Sequence, residues 1–237
     1  LAVGHAIDDE LDGGHGRVEY EHMFVSGGQT LQPTLFDTGA PAVDLGFASC
    51  EQRALDESSW VEVAPGWMSG ADELLAELLD TVRWRQRRVR MYDRMVAEPR
   101  LTAWWGLSDE LPHPSLSSAW DVLERRYERR FISMGANFYR DGDDSVAWHA
   151  DRNRREVRHP TIAIVVLGER RSFRLRPIAA GPAPVTLTAG HGDLLVMGGA
   201  CQHRWQHCVP KTRRPVGPRV SLTFRHVHDD NYDRPPG

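Results

Sequence analysis

The sequence predicts a mainly β fold with flanking helices: a double-stranded β-helix (jelly-roll) core buttressed by N-terminal helices. Three features predict it. From Phe131 onward the chain breaks into short β-like runs, at 132–139, 145–149, 161–167, 172–176, 185–188, 193–197, 203–208 and 219–227. Glycine and proline punctuate them, as at Gly168, Gly181-Pro182, Gly198-Gly199 and Gly217-Pro218. The helical signal is confined to two stretches upstream of them. A chain of 237 residues is long enough to bury one such core.

Taken in order, residues 1–22 hold Asp8, Asp9, Glu10, Asp12, Glu19 and Glu21 against Arg17 alone, with no apolar period. They read as a disordered leader or a vector-derived segment, with Met23 as the natural start and 23–237 as a single domain. Residues 23–66 read as irregular wrapping with short strands. A helix is expected over 71–82, from the Leu74, Leu75, Leu78, Leu79, Val82 stripe, with Ser69 and Asp72 as a capping box. The run 83–100 is strongly basic. A second helix over about 116–130 sets Leu116, Trp120, Leu123 and Tyr127 on one face and arginines on the other. Thr161 to Leu167 is a continuous apolar run, as in a strand buried on both faces.

Composition narrows the function. No run of eighteen apolar residues is present, so no membrane helix is expected, and Leu1 to Ala6 lacks a signal-peptide pattern. Three cysteines, Cys50, Cys201 and Cys208, argue against a disulfide framework and for a reducing cytoplasm. The net charge of -4 comes from the first segment; the remainder is near neutral with dense arginine clusters, which is compatible with a phosphate backbone. Neither a Gly-x-Ser-x-Gly elbow nor a Walker loop occurs.

The chemistry centres on Trp148-His149-Ala150-Asp151. A histidine and an aspartate two apart on a strand share a face. A third ligand from His191, His203 or His207 would complete two imidazoles and one carboxylate on one side of a metal. That set leaves positions open for a co-substrate and O₂, and suits non-haem Fe(II). A zinc cluster of Cys201, His203, His207 and Cys208 is the rival, but it lacks paired Cys-x₂₋₄-Cys spacing at both ends. In the last run, Arg219, Ser221, Thr223 and Arg225 alternate with Val220, Leu222 and Phe224. The alternation leaves two readings open: a polar face in solvent, or one turned into the barrel, where guanidinium forks would hold carboxylates.

Four linked motifs then carry a resemblance. Asn137-Phe138-Tyr139-Arg140-Asp141-Gly142, His149-Ala150-Asp151, His207 and Pro218 to Arg225 occur together in the order of the AlkB family. These are Fe(II)- and 2-oxoglutarate-dependent dioxygenases that repair alkylated nucleic acids. Pro99 to Gly106 is similar to a segment of the same family, and the likeness covers about 83–228. It implies a jelly-roll core at about 131–228 and a nucleotide-recognition region at about 83–115. It implies His149, Asp151 and His207 as iron ligands, leaving His191 and His203 off the metal. Asn137 and Tyr139 would hydrogen-bond 2-oxoglutarate, Arg219 would clamp its distal carboxylate, and Arg225 would support the metal end. Ser221 stands where an Asn is often found. Trp105 would sandwich a flipped base against His149, with Trp104 as neighbour. Trp148 precedes His149 on a strand, so alternation points it away from the metal and it reads as core. Asn153 replaces an acidic residue that contacts the base in familiar repair members. Arg152 and Arg100 belong to the basic groups expected to meet phosphates.

The resemblance thus implies an oxidative demethylase of N-alkylated bases in DNA, such as 1-methyladenine and 3-methylcytosine. Its cofactors would be Fe(II), 2-oxoglutarate as co-substrate, and O₂. Its partner would be alkylated DNA, with no membrane, and it would act as a cytoplasmic monomer. The alternatives are the same chemistry on RNA, another lesion or a protein, and a non-catalytic cupin-like metal-binding module.

Overall fold

The computed structural model describes residues 19–22, 39–91, 93–151, 157 and 159–226. The strands and helices run in this order: β1 (Glu19–His22), β2 (Ala42–Val43), β3 (Glu51–Ala54), β4 (Ser59–Ala64), β5 (Met68–Ser69), α1 (Ala71–Thr81), β6 (Arg85–Met91), β7 (Arg94–Ala97), β8 (Leu101–Gly106), α2 (Pro114–Tyr127), β9 (Ser133–Tyr139), β10 (Val146–His149), β11 (Ile162–Gly168), β12 (Arg171–Pro177), β13 (Val185–Ala189), β14 (Leu194–Gly199), α3 (Cys201–Arg204), β15 (Trp205–Val209) and β16 (Arg219–Arg225).

Two sheets face each other, as a jelly roll requires. The larger has ten strands in the order β1-β6-β8-β9-β16-β11-β14-β4-β3, with β7 joined to β6. The smaller is β10-β15-β12-β13, and β2 and β5 form a separate pair. α1 and α2 cover the outer face of the larger sheet. Leu74, Leu75 and Leu78 of α1 and Leu116, Ala119 and Leu123 of α2 share a core there with Phe138, Val165, Leu222 and Phe224. A second core, with Ile162, Ile164, Val166, Phe173, Leu175 and Trp205, fills the space between the sheets. β11 therefore contributes to both cores, which explains its unbroken apolar run.

Several boundaries differ from expectation for physical reasons. The last four residues of the expected leader, Glu19–His22, pair antiparallel with Arg85–Arg88; residues 1–18 lie outside the described residues. No capping box forms at Ser69, because Met68 and Ser69 are held in the β2–β5 ladder. The helix starts instead after Gly70, whose φ of 64 is left-handed and whose side would collide with the Gly39 carbonyl if it carried a Cβ. α2 starts at Pro114, with the His113 ring accepting from the Ser115 N–H. His203 and Arg204 belong to a helical turn rather than to the strand expected over 203–208. No helix among the described residues is long and apolar enough to cross a membrane.

Candidate metal and co-substrate site

The site lies between the sheets and draws on both. β10 and β15 of the smaller sheet are neighbours, with His149 directly opposite His207. Their ring centroids are 4.2 Å apart. The register between Val146 and His149 is broken by a bulge, which re-aims the end of β10. Asp151 follows just beyond the strand, its N–H donating to Gln202 Oε1 at 2.9 Å. The ligand atoms of His149, Asp151 and His207 all lie within 4.8 Å of one another. Among the described residues this is the group of His, Cys, Asp and Glu side chains that converges so, and the Cys201, His203, His207, Cys208 alternative does not.

Each side chain is set by its neighbours. The His149 Nδ1 lies 2.9 Å from the Ala147 carbonyl, which can only accept. Nδ1 therefore carries the proton, and Nε2 is left with a free lone pair. His207 is stacked on Phe173, with centroids 5.1 Å apart. Burial pushes its pKa down to about 4, against the pull of Asp151, so the ring is neutral near pH 7. Burial alone would raise the Asp151 carboxyl, but Arg225, His207 and His149 outweigh it and hold it below the usual range. Arg225 Nε donates to Asp151 Oδ1 at 3.2 Å. The buried Asp151 Oδ2 accepts no hydrogen bond from the described residues and stands 3.5 Å from His207 Nε2. A buried carboxylate oxygen without a donor beside two imidazoles fits a cation.

The polar face of β16 is turned inward. Val220, Leu222 and Phe224 are buried under the helices, so Arg219, Ser221, Thr223 and Arg225 face the other sheet. Asn137 and Tyr139 of β9 line the same cavity as Ser221, Arg225 and the three candidate ligands. Ser221 pairs directly with Asn137, and Arg219 with Tyr139. A Cβ at Gly135 would meet Arg225 Nη1 at 2.5 Å, so the guanidinium needs that glycine to lie across β9. Arg219 is 1% exposed; its Nη1 donates to the carbonyls of Glu169 and Ala189, while its Nε has no acceptor among the described residues. Burial lowers its pKa to about 10, still fully charged at neutral pH. A buried cation with an unused donor fits a carboxylate. The donor set thus suits a metal at one end and a dicarboxylate reaching Arg219 at the other.

Other expected residues fall elsewhere. Trp105 is not on the cavity face: with Leu101 and Ala103 it packs on the helix-side core. Trp104, one residue earlier and 60% exposed, shares the cavity face with its partner Gly135. Trp148 is not core; it lies half-buried under the Arg176 guanidinium, 4.4 Å from the ring centroid. Arg100 does not project as a free cation but donates from Nε to Asn137 Oδ1 at 2.9 Å. His191 accepts from the Gly168 N–H, and His203 Nε2 sits 2.7 Å from the Val157 carbonyl, both off the site. Arg152 and Asn153 lie outside the described residues. Phe173 and Gln202 were missed. Phe173 is legible in the Arg171-Phe173-Leu175 alternation, whereas nothing in the sequence marks Gln202.

With the geometry established, the chain can be set beside known proteins. A family model described as the 2OG-Fe(II) oxygenase superfamily matches residues 109–225. Alpha-ketoglutarate-dependent dioxygenase alkB homolog 3 of Mus musculus is 34% identical over 222 residues, covering 77% of this chain and 76% of the mouse protein. DNA oxidative demethylase ALKBH2 of Arabidopsis thaliana is 31% identical over 184 residues, covering 62% of this chain and 59% of the plant protein. Among solved structures, a 2OG-Fe(II) oxygenase family oxidoreductase from Burkholderia pseudomallei superposes with a TM-score of 0.50 at 13% identity, over 71% of this chain and 86% of that one. That last likeness is one of fold.

Proposed function

The chain belongs to the AlkB family of 2OG-Fe(II) oxygenases, and from that premise we propose that it removes methyl groups oxidatively from N-alkylated bases in DNA, such as 1-methyladenine and 3-methylcytosine. The observation that carries the reading is the convergence of His149, Asp151 and His207 opposite the inward polar face of β16. Both named relatives are dioxygenases or demethylases by name, and one is named for DNA.

His149 Nε2, His207 Nε2 and the Asp151 carboxylate would hold Fe(II). Arg219 would grip the distal carboxylate of 2-oxoglutarate, with Asn137, Tyr139 and Ser221 as hydrogen-bonding neighbours. Arg225, by occupying Asp151 Oδ1, would leave Oδ2 as the oxygen available to the metal. When bound, Fe(II) with 2-oxoglutarate and O₂ supplies the oxidation of the N-methyl group, yielding succinate, CO₂ and formaldehyde. The chain's own part is to fix the geometry and keep the cavity dry, which Phe173, Ile164 and Val209 serve as apolar walls.

A methyl on a ring nitrogen inside a duplex must be unstacked to be reached. Trp104, exposed on the cavity face, is the platform for the flipped base. Arg85 and Arg87 of β6 and Arg94 of β7, which alternation places on the same face of the larger sheet as Trp104, would meet phosphates. Three free thiols support a reducing compartment such as the cytoplasm.

The test is formaldehyde release from oligonucleotides carrying 1-methyladenine or 3-methylcytosine, with Fe(II), 2-oxoglutarate and ascorbate. DNA turnover that disappears in His149→Ala supports the reading. Turnover on RNA alone would move the substrate, and 2-oxoglutarate decarboxylation with no turnover of either nucleic acid would exclude both.

A further inference from the structure

We infer that Arg100 is a positioning residue for 2-oxoglutarate, acting through Asn137, rather than a nucleic-acid contact. The inference rests on the reading of Asn137 as a co-substrate ligand. Arg100 Nε donates to Asn137 Oδ1 at 2.9 Å, and both groups are largely withdrawn from solvent. Arginine has donors only, so the amide oxygen must be the atom that faces it. The two Nδ2 hydrogens are then left for the cavity that Asn137 lines. A carboxylate of the co-substrate can only accept, so this is the amide orientation that it needs. With Arg100 gone, the amide is free to turn its oxygen toward the carboxylate, where two acceptors would face each other.

Arg100 is itself held in place. Glu98 Oε2 lies 3.1 Å from its Nη2, and its own N–H donates to the Glu98 carbonyl. Pro99, between them, accepts from the Ser145 N–H at 2.7 Å, which ties the segment to the loop before β10. Gln86 Nε2 also donates to the Glu98 carbonyl. Arg100 therefore hydrogen-bonds Asn137 through Nε while its Nη2 makes an ion-pair contact with Glu98, two separate contacts that lysine's single ammonium cannot reproduce. Its charge also reaches Tyr139: burial raises the pKa of that hydroxyl, and Arg100 is the first of the cations that oppose the rise. The cation thus stands behind both β9 residues expected to hold the co-substrate, without lining the cavity itself.

The test is calorimetric binding of 2-oxoglutarate to the anaerobic Fe(II)-loaded protein, for wild type, Arg100→Gln, Arg100→Lys, Asn137→Ala and the double variant Arg100→Gln/Asn137→Ala. Arg100→Gln should weaken binding by about tenfold, with Arg100→Lys in between. On the Asn137→Ala background, Arg100→Gln should add almost nothing, because the partner through which it acts is gone. The KM for a methylated oligonucleotide should change by less than about twofold. A full additional loss on the Asn137→Ala background, or a raised oligonucleotide KM with unchanged 2-oxoglutarate affinity, overturns the inference. If thermal melting shows that Arg100→Gln is unfolded, Arg100→Lys carries the same comparison. Wild type that fails to bind 2-oxoglutarate would sink the proposed function itself. Wild type that binds, with both Arg100 variants unaltered, sinks this inference alone.

Discussion

Arg225 and Asp151, distant in sequence, are joined by a 3.2 Å hydrogen bond that ties the end of β16 to the segment after β10. The bond uses Oδ1 and leaves Oδ2 pointing at His207. Arg225→Met should therefore free the carboxylate to rotate and weaken Mn(II) binding by roughly 10–100-fold, the usual effect of losing a ligand's orienting partner. A competition titration with a fluorescent chelator measures this. An affinity within error of wild type would mean that Asp151 is oriented by the Gln202 contact instead.

Arg219 is buried, with an unused Nε donor and two bonds to backbone carbonyls. Arg219→Lys retains a charge but loses the fork, so 2-oxoglutarate binding should fall by about 2 kcal/mol or more. Metal affinity without co-substrate should stay unchanged, since Arg219 bonds none of the candidate ligands. Equal loss of both would place its role in the fold rather than at the dicarboxylate.

The two adjacent tryptophans should separate cleanly. Trp104→Ala should raise the KM for a methylated oligonucleotide by the worth of one stacked base, about 1–3 kcal/mol, with little change in melting temperature. Trp105→Ala should instead destabilise the fold by about 2–4 kcal/mol, as removal of a packed aromatic does. Kinetics alongside chemical denaturation of both variants decides it, and the reverse pattern would restore Trp105 as the base platform.

Asp56 sets a pH dependence away from the site. Burial alone would raise its pKa, but the bond from Trp205 Nε1 at 2.7 Å and donors from Ser58 and Ser59 lower it from 3.8 to about 2. A depressed carboxyl stabilises the fold above its unfolded pKa and loses that contribution as pH falls toward the folded value. The metal-free protein should exceed Asp56→Asn in stability by about 1–2 kcal/mol at neutral pH, allowing for partial exposure. The gap should close between about pH 4 and pH 2. Denaturation of both proteins across that range checks it; a gap that stays constant down to pH 2 contradicts the assignment.

The β class of the core was legible because punctuated short runs have few other solutions, and the order of His149, Asp151, His207 and Arg219 was legible from linked motifs. The direction of β16's polar face was not. Its alternation is symmetrical, and only the helices over Val220, Leu222 and Phe224 decide which side is inside. Trp105, expected over the base, lies on the helix side of β8 and Trp104 on the other, because one residue along a strand reverses the face. The period-two set Leu101, Ala103, Trp105 carried the correction in plain view. Ser69 was a sound cap by composition, but a two-residue ladder with β2 claimed it first. Arg100 read as one more cation in a basic run, because its acceptor lies on another strand.

The most direct measurement is an anomalous difference map from crystals grown anaerobically with Mn(II) and 2-oxoglutarate. The account predicts one metal peak bound by His149, Asp151 and His207, with the dicarboxylate chelating it and its far end on Arg219. A metal bound elsewhere, or a dicarboxylate whose distal group avoids Arg219, would contradict it.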